Sequence, residues 1–112
     1  MIEQYRQGDV LLVRDDSASI DGEEVKRDRG HVVLAYGEVT GHAHAIANKA
    51  AKLFALANVA YRVLELKEDA ELRHGKIGAL RGDHEPIQLP AGRYRVIRQR
   101  EYTPEGDRYV AD

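Results

Sequence analysis

The chain has 112 residues, with Lys plus Arg at 17 against Asp plus Glu at 19 and a formal net charge of −2. That length allows one domain with a modest core, and the near balance of charge argues against nucleic-acid binding by bulk attraction, although charge can be sorted locally. Cysteine is absent, which excludes disulfides, thiolate zinc sites and a thiol nucleophile, so a metal ion would have to be held by His, carboxylate, carbonyl or water.

Taken from the start, Met1–Arg6 has no apolar stretch of the kind a secretion signal carries, and no later run is long enough to span a bilayer. The expectation is a cytoplasmic protein with no membrane association. Gly8-Asp9 opens the apolar run Val10-Leu11-Leu12-Val13, closed by Asp15-Asp16-Ser17, which reads as a buried strand ended by turn residues. Ser19 to Arg29 is charged and reads as loop. Val32-Val33-Leu34-Ala35-Tyr36 is a second strand. Gly37-Glu38-Val39-Thr40-Gly41 then forms a turn into a third strand, His42-Ala43-His44-Ala45-Ile46.

The segment from Asn48 to Ala57 supports two readings. Ile46, Ala50, Leu53, Phe54 and Ala57 fall at helical spacing, whereas Lys52–Leu56 also suits a strand. Tyr61 to Leu66 is a strand, Lys67-Glu68-Asp69 a turn, and Glu71-Leu72-Arg73 a short strand. Gly75, Gly78 and Gly82 predict a loop-rich stretch, including an exposed loop over Gly82-Asp83-His84-Glu85-Pro86. Ile87-Gln88-Leu89 runs into the turn Pro90-Ala91-Gly92, where proline presets φ and glycine permits positive φ. Arg93 to Tyr102 is the clearest strand, and Thr103-Pro104-Glu105 suits the cap of a brief terminal helix. The fold class expected is mainly β, a small single-domain barrel or sandwich with at most a short helix.

The chemistry concentrates around the third strand. Side chains alternate along a strand, so His42 and His44 share a face with Thr40 and Ile46. Two imidazoles one pleat apart can reach one divalent ion at about 2.0–2.1 Å. Glu38, on the preceding turn, is placed to act as ligand, as supporting carboxylate or as general base. His84 is the candidate third ligand, with His74 as its alternate and Asp83 as a carboxylate able to orient an imidazole. Set against this, His-x-His in a strand also occurs as two polar residues with no ligand, and His and Glu can move protons without a metal. His31 has the features of a surface or structural residue.

Arg93-Tyr94-Arg95-Val96-Ile97-Arg98-Gln99-Arg100-Glu101-Tyr102 is strongly basic. Alternation puts Arg93, Arg95, Ile97, Gln99 and Glu101 on one face, with Tyr94, Val96, Arg98, Arg100 and Tyr102 on the other. Arg98 and Arg100 beside Tyr102 suit a phosphate or carboxylate, which guanidinium binds bidentately. The alternative is a solvated edge whose arginines pair with local acids.

The motifs Gly37-Glu38-Val39-Thr40-Gly41-His42-Ala43-His44, His84-Glu85-Pro86-Ile87 and Leu89-Pro90-Ala91-Gly92-Arg93, with Gly8-Asp9-Val10-Leu11-Leu12-Val13, resemble a group of small uncharacterised bacterial and phage proteins. The resemblance spans most of the chain outside 15–29 and 67–80. It implies a β-rich fold, and so favours strand over helix at Lys52–Leu56, and it implies no activity. Members carry His-Glu-Glu-His before the Pro-Ile, where this chain has Arg81-Gly82-Asp83-His84, so His42, His44 and His84 are the histidines that transfer. A weaker resemblance is to cupins, β-barrels with a His-x-His metal motif. Their downstream glutamate is replaced here by Asn48 and Lys49, and the histidine of their second motif by Arg95.

These readings lead to an expected metal-dependent enzyme, hydrolytic on an anionic substrate of the phosphoester type. In it His42, His44 and His84 hold a divalent ion (Zn, Mn or Fe) and Glu38 is the general base. Arg98, Arg100 and Tyr102 bind the substrate. The competing expectation is a non-catalytic module that binds protein or nucleic acid, and a third is a buried histidine network that only specifies the fold.

Overall fold

A computed structural model describes residues 2–37, 41–77, 79–103 and 106–109, with the side chains of 79–84 and 100–109 outside the description. Its first hairpin joins β1 (Gln4–Gln7) to β2 (Val10–Arg14), with Gln7 opposite Val10 so that only Gly8-Asp9 forms the loop. Gly8 has φ 57°, the value that the first position of a tight two-residue hairpin turn requires and that glycine adopts without penalty. After the two-residue β3 (Glu23–Glu24) come β4 (Val32–Tyr36), β5 (His42–Ile46), β6 (Ala51–Ala55) and β7 (Arg62–Leu66). The chain continues through β8 (Ala70–Lys76), the 11-residue β9 (Ala79–Leu89), β10 (Gly92–Arg98), β11 (Arg100–Thr103) and β12 (Gly106–Tyr109).

All pairings are antiparallel. One sheet has six strands in the order β1-β2-β10-β7-β6-β3, the second has four in the order β4-β5-β8-β9, and β11-β12 form a separate ribbon. Both large sheets end in open edges, so the barrel alternative gives way to two facing sheets. Period-two alternation decides what each sheet turns inward. The six-stranded sheet contributes Val10, Leu12, Leu53, Leu64, Tyr94 and Val96 to the main core, and the four-stranded sheet Val32, Leu34, Ile46, Leu72 and Leu89. A smaller cluster, Val33, Ala43, Ala45 and Ile77, takes the alternate residues of the four-stranded sheet. Tyr94 is completely buried and closes the core by donating from its hydroxyl to Pro90 O at 2.6 Å. Burial pushes that hydroxyl up to about 12.

Residues 51–55 form a strand, as the resemblance favoured over the helical reading, since pairing with β7 from Ala51–Leu66 to Ala55–Arg62 buries Ala51 and Leu53 on one face. Other expectations are corrected. Within the glycine-rich stretch Gly75 lies in β8 and Gly82 in β9, and the loop expected over 82–86 lies inside β9. The basic segment is two strands, β10 and β11, broken at Gln99, whose N–H donates to Asp9 O at 2.8 Å. β10 lies between β2 and β7 and is no edge. Of the terminal helix expected from Thr103, Pro104 and Glu105 lie outside the described residues; Thr103 pairs with Gly106 in the β11–β12 ladder, and no helix occurs among the described residues. Accordingly, no helix among them is long and apolar enough to cross a membrane.

Candidate functional site

The register of the four-stranded sheet lines up histidines across three adjacent strands. His44 of β5 stands opposite His74 of β8, and His74 stands opposite His84 of β9. His44 and His74 are buried, at 0% and 2% exposure, and their rings stack with centroids 4.2 Å apart and planes 24° apart. His42 is half-buried on the same face, its ring 6.2 Å from that of His74. His74 is therefore central to the cluster. For His84 the structure gives the backbone position opposite His74, with its side chain and that of Asp83 outside the description.

The first hairpin of the other sheet covers this row. Gln7 is buried and crosses between the sheets, its Nε2 donating to Leu72 O and Glu85 O, both at 3.1 Å. Those carbonyls flank the point where the β8–β9 register shifts, between the Leu72–Ile87 and His74–His84 pairs. Pro86 lies within the shift and has no N–H to give the ladder, so a bulge forms there and an amide from the facing sheet supplies the donor. With Nε2 committed to two carbonyls, Gln7 presents Oε1 to His44 Nδ1 at 2.9 Å. Nδ1 must then be the donor, which fixes the His44 tautomer.

The other ring nitrogen, His44 Nε2, lies 3.7 Å from Asp9 Oδ1. Asp9 is buried at 1% exposure, and its second oxygen receives Arg98 Nε at 2.5 Å in an ion pair. His44 Nε2 and the Asp9 carboxylate thus face each other within the polar end of the interior. Arg98 continues outward, its Nη2 donating to Tyr36 O at 2.6 Å.

The fit to a metal ion is one of donor chemistry. The cluster offers imidazole nitrogen and carboxylate oxygen, and Gln7 orients one ring by the hydrogen bond that metal-binding histidines characteristically make. Among the described residues alone, no group of three or more His, Asp or Glu side chains closes into a metal-holding arrangement. Glu38 lies outside the described residues.

Of the expected anion-binding set, Arg98 reaches the cluster through Asp9, while Arg100 and Tyr102 belong to the β11–β12 ribbon. The remaining arginines of β10 are matched by local acids: Arg93 lies 3.5 Å from Glu65, and Arg95 lies 2.6 Å from Asp15. Arg95 and Ser17 hold the Asp15 carboxyl below its ordinary range, Ser17 contributing most. His31 is half-buried, with Nδ1 3.1 Å from Arg29 O, in keeping with a structural role. Sequence reasoning passed over Gln7 and the side chain of Asp9. The signal was local: a glycine-first two-residue turn between alternating segments marks a hairpin, and a hairpin tip can carry polar groups into a facing sheet.

A family model described as a domain of unknown function (DUF8820) matches residues 6–99. The span takes in Gln7, Asp9, His42, His44, His74, His84 and Arg98, and stops before Arg100 and Tyr102. No curated protein and no solved structure matches the chain.

Proposed function

The chain belongs to the DUF8820 family, and from its geometry we propose that it is a small metal-dependent enzyme, hydrolytic on an anionic substrate of the phosphoester type. The observation that supports this reading is the in-register row His44–His74–His84, joined by His42 and bordered by Asp9. Here His42, His44, His74 and His84 are the ligand set for one divalent ion of the Zn, Mn or Fe class, with Asp9 adjoining. When bound, such an ion supplies Lewis-acid stabilisation of an oxyanion and acidifies a water molecule. The chain's own residues do the rest. Gln7 holds His44 in one tautomer, so that its Nε2 faces the Asp9 side. Arg98 holds Asp9 in place. Glu38 is assigned the proton-accepting role that its place before His42 suggested.

The test is metal analysis of protein purified without a histidine tag, followed by titration with Zn²⁺, Mn²⁺ and Fe²⁺. About one ion per chain is expected, with affinity falling at least tenfold in His44→Ala and in His74→Ala. Protein that carries no ion and takes none up in titration would overturn the proposal.

A second reading has an observation of its own. The stacked, buried His44 and His74 with the Gln7 amide also form the kind of polar network that specifies a unique core. Under it, His44→Leu lowers the melting temperature sharply and changes no ligand binding.

A further inference from the structure

A cleft of about 290 Å³ opens beside the histidine row, between β4 and the ends of β7 and β10. Its origin is topological. β7 begins at Arg62, opposite Val96, so Ile97 and Arg98 extend past it and pair only with Leu11 and Val10 of β2. The opposite wall is β4, the outermost strand of its sheet, through Val33, Leu34, Ala35 and Tyr36. Ala35, on that wall, stands opposite His44 in the β4–β5 ladder, so the cleft adjoins the histidine row by one strand spacing.

Two arginines line the cleft, and their situations differ. Arg98 is engaged with Asp9 and Tyr36 O. Arg62 is exposed, and among the described residues its guanidinium makes no ion pair and no hydrogen bond, unlike Arg93, Arg95 and Arg98, each matched to an acid. An unmatched guanidinium at the mouth of a cleft of small-molecule size offers planar, paired N–H donors to an oxyanion.

We infer that this cleft seats the oxyanion group of a small molecule, with Arg62 as its charge partner. As the seat of the substrate's anionic group the inference rests on the hydrolase reading; as a binding site it stands on the cleft and Arg62 alone. Phosphoester and carboxylate ligands share this chemistry, and the test separates them.

The full-length, metal-free protein is titrated at low salt with inorganic phosphate and, in parallel, with acetate, following backbone amide NMR shifts. Saturable phosphate binding that perturbs residues 33–36, 62 and 96–98 is expected, weakened at least tenfold in Arg62→Ala and partly restored in Arg62→Lys. Tighter binding of acetate with the same dependence on Arg62 would support the seat and assign it to carboxylates. Because Arg62 is exposed, Arg62→Ala keeps the fold, and its Zn²⁺ uptake matches that of the unaltered protein. Absence of saturable binding by either anion, or binding unchanged in Arg62→Ala, overturns the inference. Loss of the metal reading with Arg62-dependent anion binding intact would remove the hydrolase and leave the seat.

Discussion

The two ends of the interior are built on the same strands and filled with opposite chemistry. On β5 the inward face runs from Ile46 to His44 and His42, and on β8 from Ala70 and Leu72 to His74. One end meets Leu64, Leu89 and Tyr94; the other meets Gln7, Asp9 and, through Asp9, Arg98. Hydrocarbon filling lowers free energy by burial alone, at about 25 cal/mol per Å². Polar filling has to recover its desolvation cost through hydrogen bonds and ion pairs and rarely gains beyond that. A chain selected only for stability would have carried the apolar pattern of Ile46 and Leu72 one pleat further. That it places three imidazoles, a carboxylate and an amide there is the reason to look for function at that end.

The comparison breaks most visibly at its apolar end. Leu72→Ala removes a fully buried side chain and should lower stability by about 2–5 kcal/mol in urea unfolding. His74→Leu, one pleat along, should cost far less or even stabilise, because an apolar side chain of similar size needs no hydrogen bonds. Equal losses for the two would show that the polar end is as structural as the apolar one. Next in size is the link between the ends. Gln7→Leu leaves Leu72 O, Glu85 O and His44 Nδ1 without the amide that serves them. We expect a loss of about 1–3 kcal/mol together with weakened metal uptake.

Alkaline pH sharpens the apolar side. Tyr94 has its hydroxyl raised from 10.0 to about 12, chiefly by burial, so the folded state holds that proton more tightly than the unfolded chain. Its contribution is complete below pH 10 and is lost as pH climbs from 10 through 12. We expect this to amount to about 1–2 kcal/mol, measured as the difference in alkaline unfolding between the protein and Tyr94→Phe. The smallest effect lies at the surface. Asp15 and Asp16 are held below the ordinary carboxylate range, Asp15 chiefly by Ser17 and Asp16 chiefly by the Arg93 N–H. Their contribution is present above about pH 4 and fades as pH falls further. Asp16→Ala should therefore shift the acid-unfolding midpoint only slightly upward, as followed by circular dichroism.

Much of the fold was legible in local pattern. The alternation of Tyr94 and Val96 inward against Arg93 and Arg95 outward holds, because a strand's two faces are written directly into residue parity. The strand at residues 51–55 was harder. Its apolar positions fit both periods, and pairing with β7 decided between them. β9 was misread because Gly82 and Pro86 carry loop signals, which a long strand with a register shift tolerates.

For the site, His42 and His44 on one face follow from spacing two along a strand, and no other part of the chain is needed to see it. Sequence alone likewise determined that the fold would be β-rich and that a metal would find nitrogen and oxygen donors in place of sulfur. Tertiary structure decided the rest: that His74 is central, that Gln7 and Asp9 belong to the cluster, and that Arg98 reaches it while Arg100 and Tyr102 lie in another ribbon. The physical reason is that strand parity is a local property, readable from neighbours two residues away. Which strands lie side by side, and in what register, depends instead on the free energy of the whole pairing, summed over residues far apart in the chain.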